Sequence, residues 1–430
     1  MRPATPWLAC LAPLVAACGG AATPGSAPAG QGVCALPAVA SPPAEAGACL
    51  GAGLLAGLSR SHLLVGLSGD DAAAAAAPYD LRYQYLAGPL PDGAGPCASC
   101  ASGCSAGGQS CANAAGGCGW WGCWQWDQVP PGQFVVDFVA AAKARGQVPM
   151  VTYYLVLQAS GVAEGTPEVT QAATDAAFMA RYLADWRFLL QRIGSESVLL
   201  HVEPDFWGYA QHASLDAGRD PSAVPAAVSS ANPEDCGGCG DTLAGLGRCL
   251  VGMVRKYAPN ARVGLHASGW GTRVDVLMNA SASFDVPAEA RKLGAFLEAV
   301  GASAGDYVVA DMSDRDAGYN QRWWDASNAT LPDFHQAFTW SAAVAETVGR
   351  PVLWWQIPVG NMAQANTTDH WQDNRVDYLM THPAEVAAAH GVGLAFGAGA
   401  AGQTTPSTDG GNLTAKVQAY AAGGGQALCP

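Results

Sequence analysis

Eight short apolar segments are spread along the chain, and most are followed by a polar or glycine-rich loop and then an amphipathic segment of helix length. Near-continuous apolar segments are typical of strands that are buried on both faces of a parallel sheet. They lie at 62–67, 81–86, 148–155, 197–203, 262–267, 306–311, 351–356 and 392–397. The helical segments lie at 134–145, 175–193, 241–257, 288–300, 332–348 and 375–390, with a closing one near 411–421. This alternation predicts an α/β fold.

The count of eight strands favours closure into a (β/α)8 barrel, the TIM barrel. An open, doubly wound sheet is the alternative. No glycine-rich phosphate fingerprint follows the first apolar segment, which disfavours that alternative. The first crossover has the weakest helical signal, because only the six-alanine stretch 72–77 carries it. Half of the residues are apolar and 13% are charged, so the chain is able to bury a large core.

The N-terminal residues have the pattern of a bacterial export signal. A charged start precedes a short apolar run that ends in Val-Ala-Ala-Cys18, whereas a membrane-spanning helix needs roughly 20 apolar residues. The sequence Val-Ala-Ala-Cys18 resembles the lipobox of bacterial lipoproteins, which implies cleavage before Cys18 and acylation of that cysteine. A cleaved signal in which Cys18 is incidental is the alternative. We expect a lipid-anchored protein of the cell envelope, at the outer membrane or cell surface.

The predicted organisation follows from this signal and from the eight apolar segments. It comprises a signal peptide (1–17), a flexible tether (18–33), an N-terminal lead-in (34–61) with a short helix over 44–59, and the barrel domain (62–430). The tether is rich in Gly, Ala, Pro and Ser, which suits a linker that holds a folded body away from a membrane.

Twelve cysteines remain when Cys10 and Cys18 are set aside, and in an exported chain we expect them to form disulfides. The Cys-x-x-Cys pairs at 97–100 and 236–239 also suit a zinc site, but the first lies in a loop without histidine. We therefore predict no metal and no cofactor. The long loops 87–133 and 204–240 both follow a strand, so they belong at the C-terminal face of the barrel.

The charge and the aromatic content bear on the partner. A formal net charge of −14 argues against nucleic acid and anionic lipid surfaces. The 14 tryptophans suit the stacking of sugar rings, although many can be core residues. We expect a polysaccharide or glycan partner, membrane contact through the lipid anchor alone, and a monomer.

A carboxylate stands at the end of the fourth apolar segment. Apolar residues lead into Glu203, and Asp205 and Trp207 follow. A charged residue at the end of a buried strand is costly unless it faces a polar site, and the top of a barrel is such a site. Burial would raise the pKa of Glu203, as a general acid requires. The alternative is that Glu203 is a structural ion-pair partner.

Other strand ends carry polar and aromatic residues that we expect to meet at the same rim. These are Asp70, Tyr153, His266 with Trp270, Asp311, and Trp354-Trp355-Gln356. The loop 120–126 places four tryptophans, among them Trp121 and Trp124, beside Cys123. Such a cluster suits a wall or platform, while one or two of its members can belong to the core.

The strand-four end, His201-Val-Glu203-Pro-Asp205-Phe-Trp207, and the strand-seven Trp354-Trp355-Gln356 resemble the corresponding ends in (β/α)8 glycoside hydrolases. The resemblance implies that Glu203 is the acid/base. It places Gln356 where the largest clan of these enzymes has its nucleophilic Glu, which argues against a retaining mechanism through that residue. Barrel lysozymes and chitinases cluster acids on strand four, and the pair Glu203 and Asp205 is only loosely similar to theirs.

The resulting hypothesis is a hydrolase of glycosidic bonds. Glu203 would be the general acid/base, and Asp311 a second carboxylate acting as nucleophile, base or orienter, facing the same cavity. Asp205, His266 and Gln356 would tune or position the reacting groups. Substrate binding would fall to Asp70, Tyr153, Trp207, Trp270, Trp354, Trp355, Trp121 and Trp124. The rival hypothesis is a non-catalytic barrel that binds glycan or protein, and the missing strand-seven Glu is its main support.

Overall fold

The computed structural model describes residues 33–34, 50–88, 90, 105–106, 109–110, 124–125 and 130–428. Eight parallel strands close into one barrel, in which β1 pairs with both β2 and β8 and the others pair in sequence order. The strands are β1 (Leu64–Leu67), β2 (Leu81–Ala87), β3 (Val148–Tyr154), β4 (Leu199–Val202), β5 (Arg262–His266), β6 (Tyr307–Asp311), β7 (Val352–Ile357) and β8 (Gly391–Phe396). The predicted (β/α)8 barrel is confirmed.

Helices surround the barrel. They are α1 (Ala52–Gly57), α2 (Asp71–Ala75), α3 (Gln133–Ala144), α4 (Val156–Ser160), α5 (Ala176–Ile193), α6 (Phe206–Asp216), α7 (Pro233–Cys236), α8 (Leu243–Tyr257), α9 (Val286–Ala299), α10 (Ala317–Asn320), α11 (Phe334–Val348), α12 (Arg375–Thr381), α13 (Pro383–Ala388) and α14 (Asn412–Ala422). Two-residue strands, Ser105–Ala106 and Gln109–Ser110, form a separate antiparallel ladder. In the described part of the chain, no helix has the length and apolar character that a bilayer crossing requires.

One predicted helix is divided in the structure, and another is described only in part. The segment 375–390 forms α12 and α13, which are separated at His382. Pro383 begins the second helix, because proline lacks an N–H and disfavours a helical conformation in the residue before it. Of the segment 44–59, α1 covers only Ala52–Gly57 within the described residues.

The strand side chains alternate between the barrel interior and the layer beneath the helices. The interior cluster contains Leu199, Tyr307, Leu353 and Trp355, whereas strand neighbours such as Trp354 pack outward. Gly264 leaves room for the ring of Tyr307, which would lie 2.8 Å from a Cβ atom at that glycine. This period of two determines which strand-end side chains are able to reach a site above the barrel.

Two disulfides lie within the described residues. Cys236 is bonded to Cys249, and Cys239 is bonded to Cys34 in the N-terminal segment. The prediction of oxidised cysteines around 236–249 is confirmed, and each cysteine of the 236–239 pair has a different partner. No group of three or more metal-ligating side chains occurs among the residues described. The predicted disulfides of the 97–123 loop lie outside the described residues.

Candidate active site

A cavity of about 1050 Å³ opens at the end of the barrel where the strands finish. Its floor is made by residues at or just after the carboxyl ends of separate strands. These include Ala87, Tyr154, Pro204, Asp311, Gln356 and Ala398. The size is that of a large small-molecule site, and the position is where barrel enzymes place their chemistry.

Asp205 brings the first carboxylate into the cavity. It lies between β4 and α6 with φ +62°, and Tyr154 donates a hydrogen bond from its hydroxyl group to Oδ2 at 3.3 Å. Burial raises the pKa of Asp205 to about 6, and the negative charge of Asp311 acts in the same direction while His266 opposes it. About a tenth of Asp205 therefore keeps its proton at pH 7 and a larger share does so at lower pH, so this residue is able to act as an acid.

Asp311 brings the second carboxylate. It is the last residue of β6, where the strand period turns its side chain toward the barrel axis, and the side chain is 24% exposed. Oδ1 of Asp311 lies 3.3 Å from Nε2 of His266, the last residue of β5, which is buried. Asp311 thus reaches the solvent of the cavity on one side and a buried imidazole on the other.

Aromatic rings form part of the cavity wall. Trp270 packs against Tyr209 with ring centroids 4.7 Å apart, and Trp355 packs against Tyr85 at 5.5 Å. Gly208 permits the first contact, because a Cβ atom there would lie 2.4 Å from the Trp270 ring. All four rings border the cavity, where their faces and edges are suited to pyranose rings.

Gln356 borders the same cavity and carries an amide. Its φ of +55° departs from regular β geometry at the end of β7. The side chain of Gln356 therefore borders the cavity, whereas that of Trp354, two residues earlier, points outward. The loop after β8 packs closely on it, since a Cβ atom at Gly399 would lie 1.9 Å from its Nε2 atom. The predicted presence of Gln356 at the site agrees with this position.

Acidic groups outnumber basic groups in the cavity wall. Six carboxylates line it, those of Glu164, Asp205, Asp275, Asp311, Asp314 and Asp369, against two guanidinium groups, those of Arg315 and Arg322. Both arginines form ion pairs inside the wall, Arg322 with Asp275 and Arg315 with Asp314. The cavity therefore presents excess negative charge to a ligand.

The loops above β6, β7 and β8 are joined through Asp316. Its carboxylate accepts hydrogen bonds from the backbone N–H groups of Gly360 at 2.9 Å and Thr404 at 2.8 Å. Burial raises the pKa of Asp316 to about 6. This residue supports the segment 398–403, which forms one side of the cavity.

Glu203 lies behind the barrel wall. It is 1% exposed, and its Oε1 atom accepts hydrogen bonds from the backbone N–H groups of Leu155 at 3.0 Å and Val156 at 3.3 Å. Its φ of +53° breaks the alternation after β4, so the carboxylate turns away from the axis that His201 faces. The prediction that Glu203 and Asp311 face one cavity is therefore wrong for Glu203. Desolvation raises its pKa to about 8, which agrees with the expected direction.

Three predicted binding residues belong to the layer beneath the helices. The hydroxyl group of Tyr153 donates to Asp185 at 2.8 Å, and Nε1 of Trp207 donates to the Val202 carbonyl at 3.0 Å. Trp354 is buried against another tryptophan in the outer core. Tyr153 and Trp354 point outward because of their strand period, so neither contributes to the cavity wall.

The remaining predicted binding residues lie elsewhere. Asp70 is the N-cap of α2 and accepts a hydrogen bond from the backbone N–H of Ala73 at 2.8 Å. Trp124 is fully buried and stacks on Phe188, so this member of the 120–126 cluster is a core residue. Trp121 lies outside the described residues.

Three further residues that were not predicted from the sequence line the cavity, namely Tyr85, Glu164 and Tyr209. Tyr85 is an inward residue of β2, and the alternation of side chains along that strand predicts this orientation. Glu164 follows α4, and Tyr209 lies on α6 and donates its hydroxyl hydrogen to Glu164 at 3.1 Å. No local sequence signal distinguishes these two from surface residues.

No family model matches the chain, and no curated protein matches it. Similar solved structures include an endo-β-1,4-mannanase from Cellulomonas fimi, with 13% identity over 86% of this chain and 73% of that chain and a TM-score of 0.47. A Bacteroidetes-affiliated cellulase has 11% identity over 85% of this chain and 92% of that chain, with a TM-score of 0.48. An endoglucanase from Mycobacterium tuberculosis has 14% identity over 52% of this chain and 56% of that chain, with a TM-score of 0.28. This match therefore spans about half of each chain. These neighbours are glycoside hydrolases, and at such identities the likeness concerns the fold.

Proposed function

We propose that this protein is a carbohydrate-active hydrolase that cleaves glycosidic bonds in the cavity at the C-terminal end of its barrel. The observation that carries the proposal is the pair Asp205 and Asp311, two carboxyl groups in one cavity with different surroundings. Asp205 is largely desolvated, with a pKa raised to about 6, while Asp311 contacts a buried imidazole. Glycoside hydrolysis requires one protonated and one ionised carboxyl group on either side of the scissile bond.

The two groups take different roles. Asp205 donates its proton to the glycosidic oxygen as the bond to the anomeric carbon breaks. Asp311 accepts a proton from the water molecule that attacks this carbon. Gln356 offers an amide where a retaining enzyme of the resembled clan has its nucleophile, so we expect inversion and carboxyl groups separated by roughly 6.5–9.5 Å.

The cavity wall favours an uncharged glycan. Trp270, Tyr209 and Tyr85 supply ring surfaces, and the carboxylates in excess of the two paired arginines repel anionic sugars. Polyuronides and sulfated glycans would bring like charges close to Asp205 and Asp311. We therefore propose a neutral polysaccharide as the substrate class.

A panel of neutral and uronic-acid polysaccharides tests this function through the release of reducing ends. We expect cleavage of at least one neutral glycan and none of the polyuronides. Tight glycan binding without reducing-end release under any condition would instead establish the non-catalytic barrel. That alternative has specific support, since Gln356 lacks a carboxylate and Glu203 turns away from the cavity.

Trp270→Ala is expected to weaken glycan binding by up to about tenfold, because the stacking of a ring on an aromatic side chain is worth about 0.5–1.5 kcal/mol. The loss should appear in KM and in the dissociation constant from calorimetry, with a smaller change in kcat. Phe134→Ala is the matched control, since this partly buried ring lies on α3 and packs on the core. Equal affinity in the Trp270 variant and the parent would remove this residue from the binding surface.

We also propose that acylated Cys18 anchors the protein to the cell envelope, on the support of the Val-Ala-Ala-Cys sequence. This cysteine lies outside the described residues. Cys18→Ala is expected to move the protein from the detergent phase to the aqueous phase in partitioning of labelled cells, with the thermal unfolding curve of the body unchanged. A variant that stays wholly in the membrane fraction would contradict the lipid anchor.

A further inference from the structure

Two buried histidines lie inside the barrel beneath the cavity. His201 of β4 and His266 of β5 are 0% and 1% exposed, and Nε2 of the first lies 3.1 Å from Nδ1 of the second. On one side, Oγ1 of Thr152 lies 3.3 Å from Nδ1 of His201. On the other side, Oδ1 of Asp311 lies 3.3 Å from Nε2 of His266. A line of polar atoms thus runs from the barrel core to the cavity, and we call Thr152, His201 and His266 the interior relay.

The donors and acceptors of the interior relay have one consistent arrangement when Asp311 is ionised and both imidazole rings are neutral. A carboxylate only accepts, so Nε2 of His266 must carry the hydrogen. Nδ1 of His266 then accepts from Nε2–H of His201, and Nδ1 of His201 accepts from the Thr152 hydroxyl group. Each ring nitrogen has a partner in this arrangement. It fits a neutral His201, since burial holds the pKa of this residue well below its usual range.

Trp355 packs against both imidazoles of this line. Its ring lies edge-on to both imidazoles, with centroid distances of 4.6 Å to His201 and 6.0 Å to His266. Nε2 of His266 is buried and makes no hydrogen bond of good geometry with any described atom, while the Asp311 carboxylate lies at its edge. A small rotation of Asp311 toward the ring would complete the bond, and such bonds often tighten only when substrate is present.

We propose that His266, held in its Nε2–H tautomer by His201 and Thr152, is a positioning residue that keeps Asp311 in its ionised form. With the relay in place, Asp311 acts as the general base and Asp205 acts as the general acid. This inference rests on the proposed function and deepens it, because it explains how two neighbouring carboxyl groups acquire opposite protonation states.

Several other titratable groups act on the same two carboxyl groups. The negative charge of Asp311 raises the pKa of Asp205, which favours a protonated Asp205 in the same cavity as an ionised Asp311. Arg315 and Arg322 are engaged by Asp314 and Asp275. Glu164, Glu168, Tyr85, Tyr154 and Tyr209 also interact with one or both of these carboxyl groups, and Asp369 borders the same cavity. Removal of the relay donor should therefore make the ionised form of Asp311 less favourable.

The first test needs no substrate. Nitrogen-15 NMR of histidine-labelled full-length protein, with signals assigned through His201→Gln and His266→Gln, reports the tautomer of each ring. We expect neutral Nε2–H tautomers for both residues at pH 7. A Nδ1–H tautomer or an imidazolium at His266 would overturn the relay, even if the protein proves to be a hydrolase.

The second test uses the pH dependence of cleavage. His201→Leu and Thr152→Val should move the acidic limb of the kcat/KM profile upward, by about one pH unit for His201→Leu, with KM little changed. Thr152→Ser retains the hydroxyl group and should return the profile toward that of the parent. A uniform loss of rate at every pH, without a shift of the limb, would show a merely structural role. If the parent cleaves no glycan, the proposed function fails, while the NMR result still decides the relay.

Discussion

Asp205→Asn is expected to lower kcat for glycan cleavage about 10³-fold, because a general acid contributes about 10²–10⁴ to the rate. The amide keeps the shape of the side chain and the contact with Tyr154 but has no proton to transfer. Glycan affinity should change little, since stacking and ground-state contacts remain. Substrates with acidic leaving groups should lose less activity, because they need less help from the acid.

Asp70→Asn is the matched control for this substitution. Asp70 caps α2, and asparagine is an equally good N-cap residue, so activity and stability should stay near those of the parent. Initial rates over a range of substrate concentrations separate kcat from KM for both variants. An Asp205→Asn enzyme that cleaves at the parental rate would remove the acid role from Asp205.

Glu203→Gln is expected to change the pH dependence of stability. The pKa of Glu203 is raised from 4.5 to about 8 in the folded state by desolvation. The folded protein therefore holds a proton that the unfolded chain releases between these values. The contribution of this group to the free energy of unfolding is fully present below pH 4.5, and up to about 5 kcal/mol of it is lost as the pH rises to 8. The neutral glutamine should remove this dependence.

Denaturant unfolding at pH 5 and pH 8.5 measures the effect. The parent should be clearly less stable at the higher pH, and Glu203→Gln should narrow the difference. Some dependence will remain, since burial also raises the pKa of Glu168 to about 7 and of Asp185 to about 6. Glu298→Gln, on the exposed face of α9, is the control. Equal pH dependence in parent and Glu203→Gln would show that Glu203 is ionised in the folded protein.

The barrel was predictable because its signal is repeated. Each of the eight strands lies within a few residues of its predicted segment, from Leu64–Leu67 to Gly391–Phe396. A strand that is buried on both faces requires a continuous apolar segment, and such a segment can be recognised in a single sequence. The break at Pro383 was missed because the helical pattern continues on both sides of it.

The candidate site was predictable only in part. Asp311 and Trp355 follow the strand period, so their inward orientation could be inferred from the sequence. Glu203, Asp205 and Gln356 have positive φ values, and such values reverse or rotate a side chain without a local signal in non-glycine residues. Two positions along the chain therefore separate a buried structural carboxylate, Glu203, from the one in the cavity, Asp205. Backbone strain at strand ends is common at functional sites, where the surrounding fold maintains it.

The measurement that tests the central claim most directly is the ratio of kcat/KM for Glu203→Gln to that for Asp205→Asn on one glycan, at a pH where both variants are folded. The structure places the carboxylate of Asp205 in the cavity and that of Glu203 behind the barrel wall. We predict a ratio of at least about 10², because only one substitution removes the proton donor. A ratio of one or less would contradict the account and return the acid to Glu203.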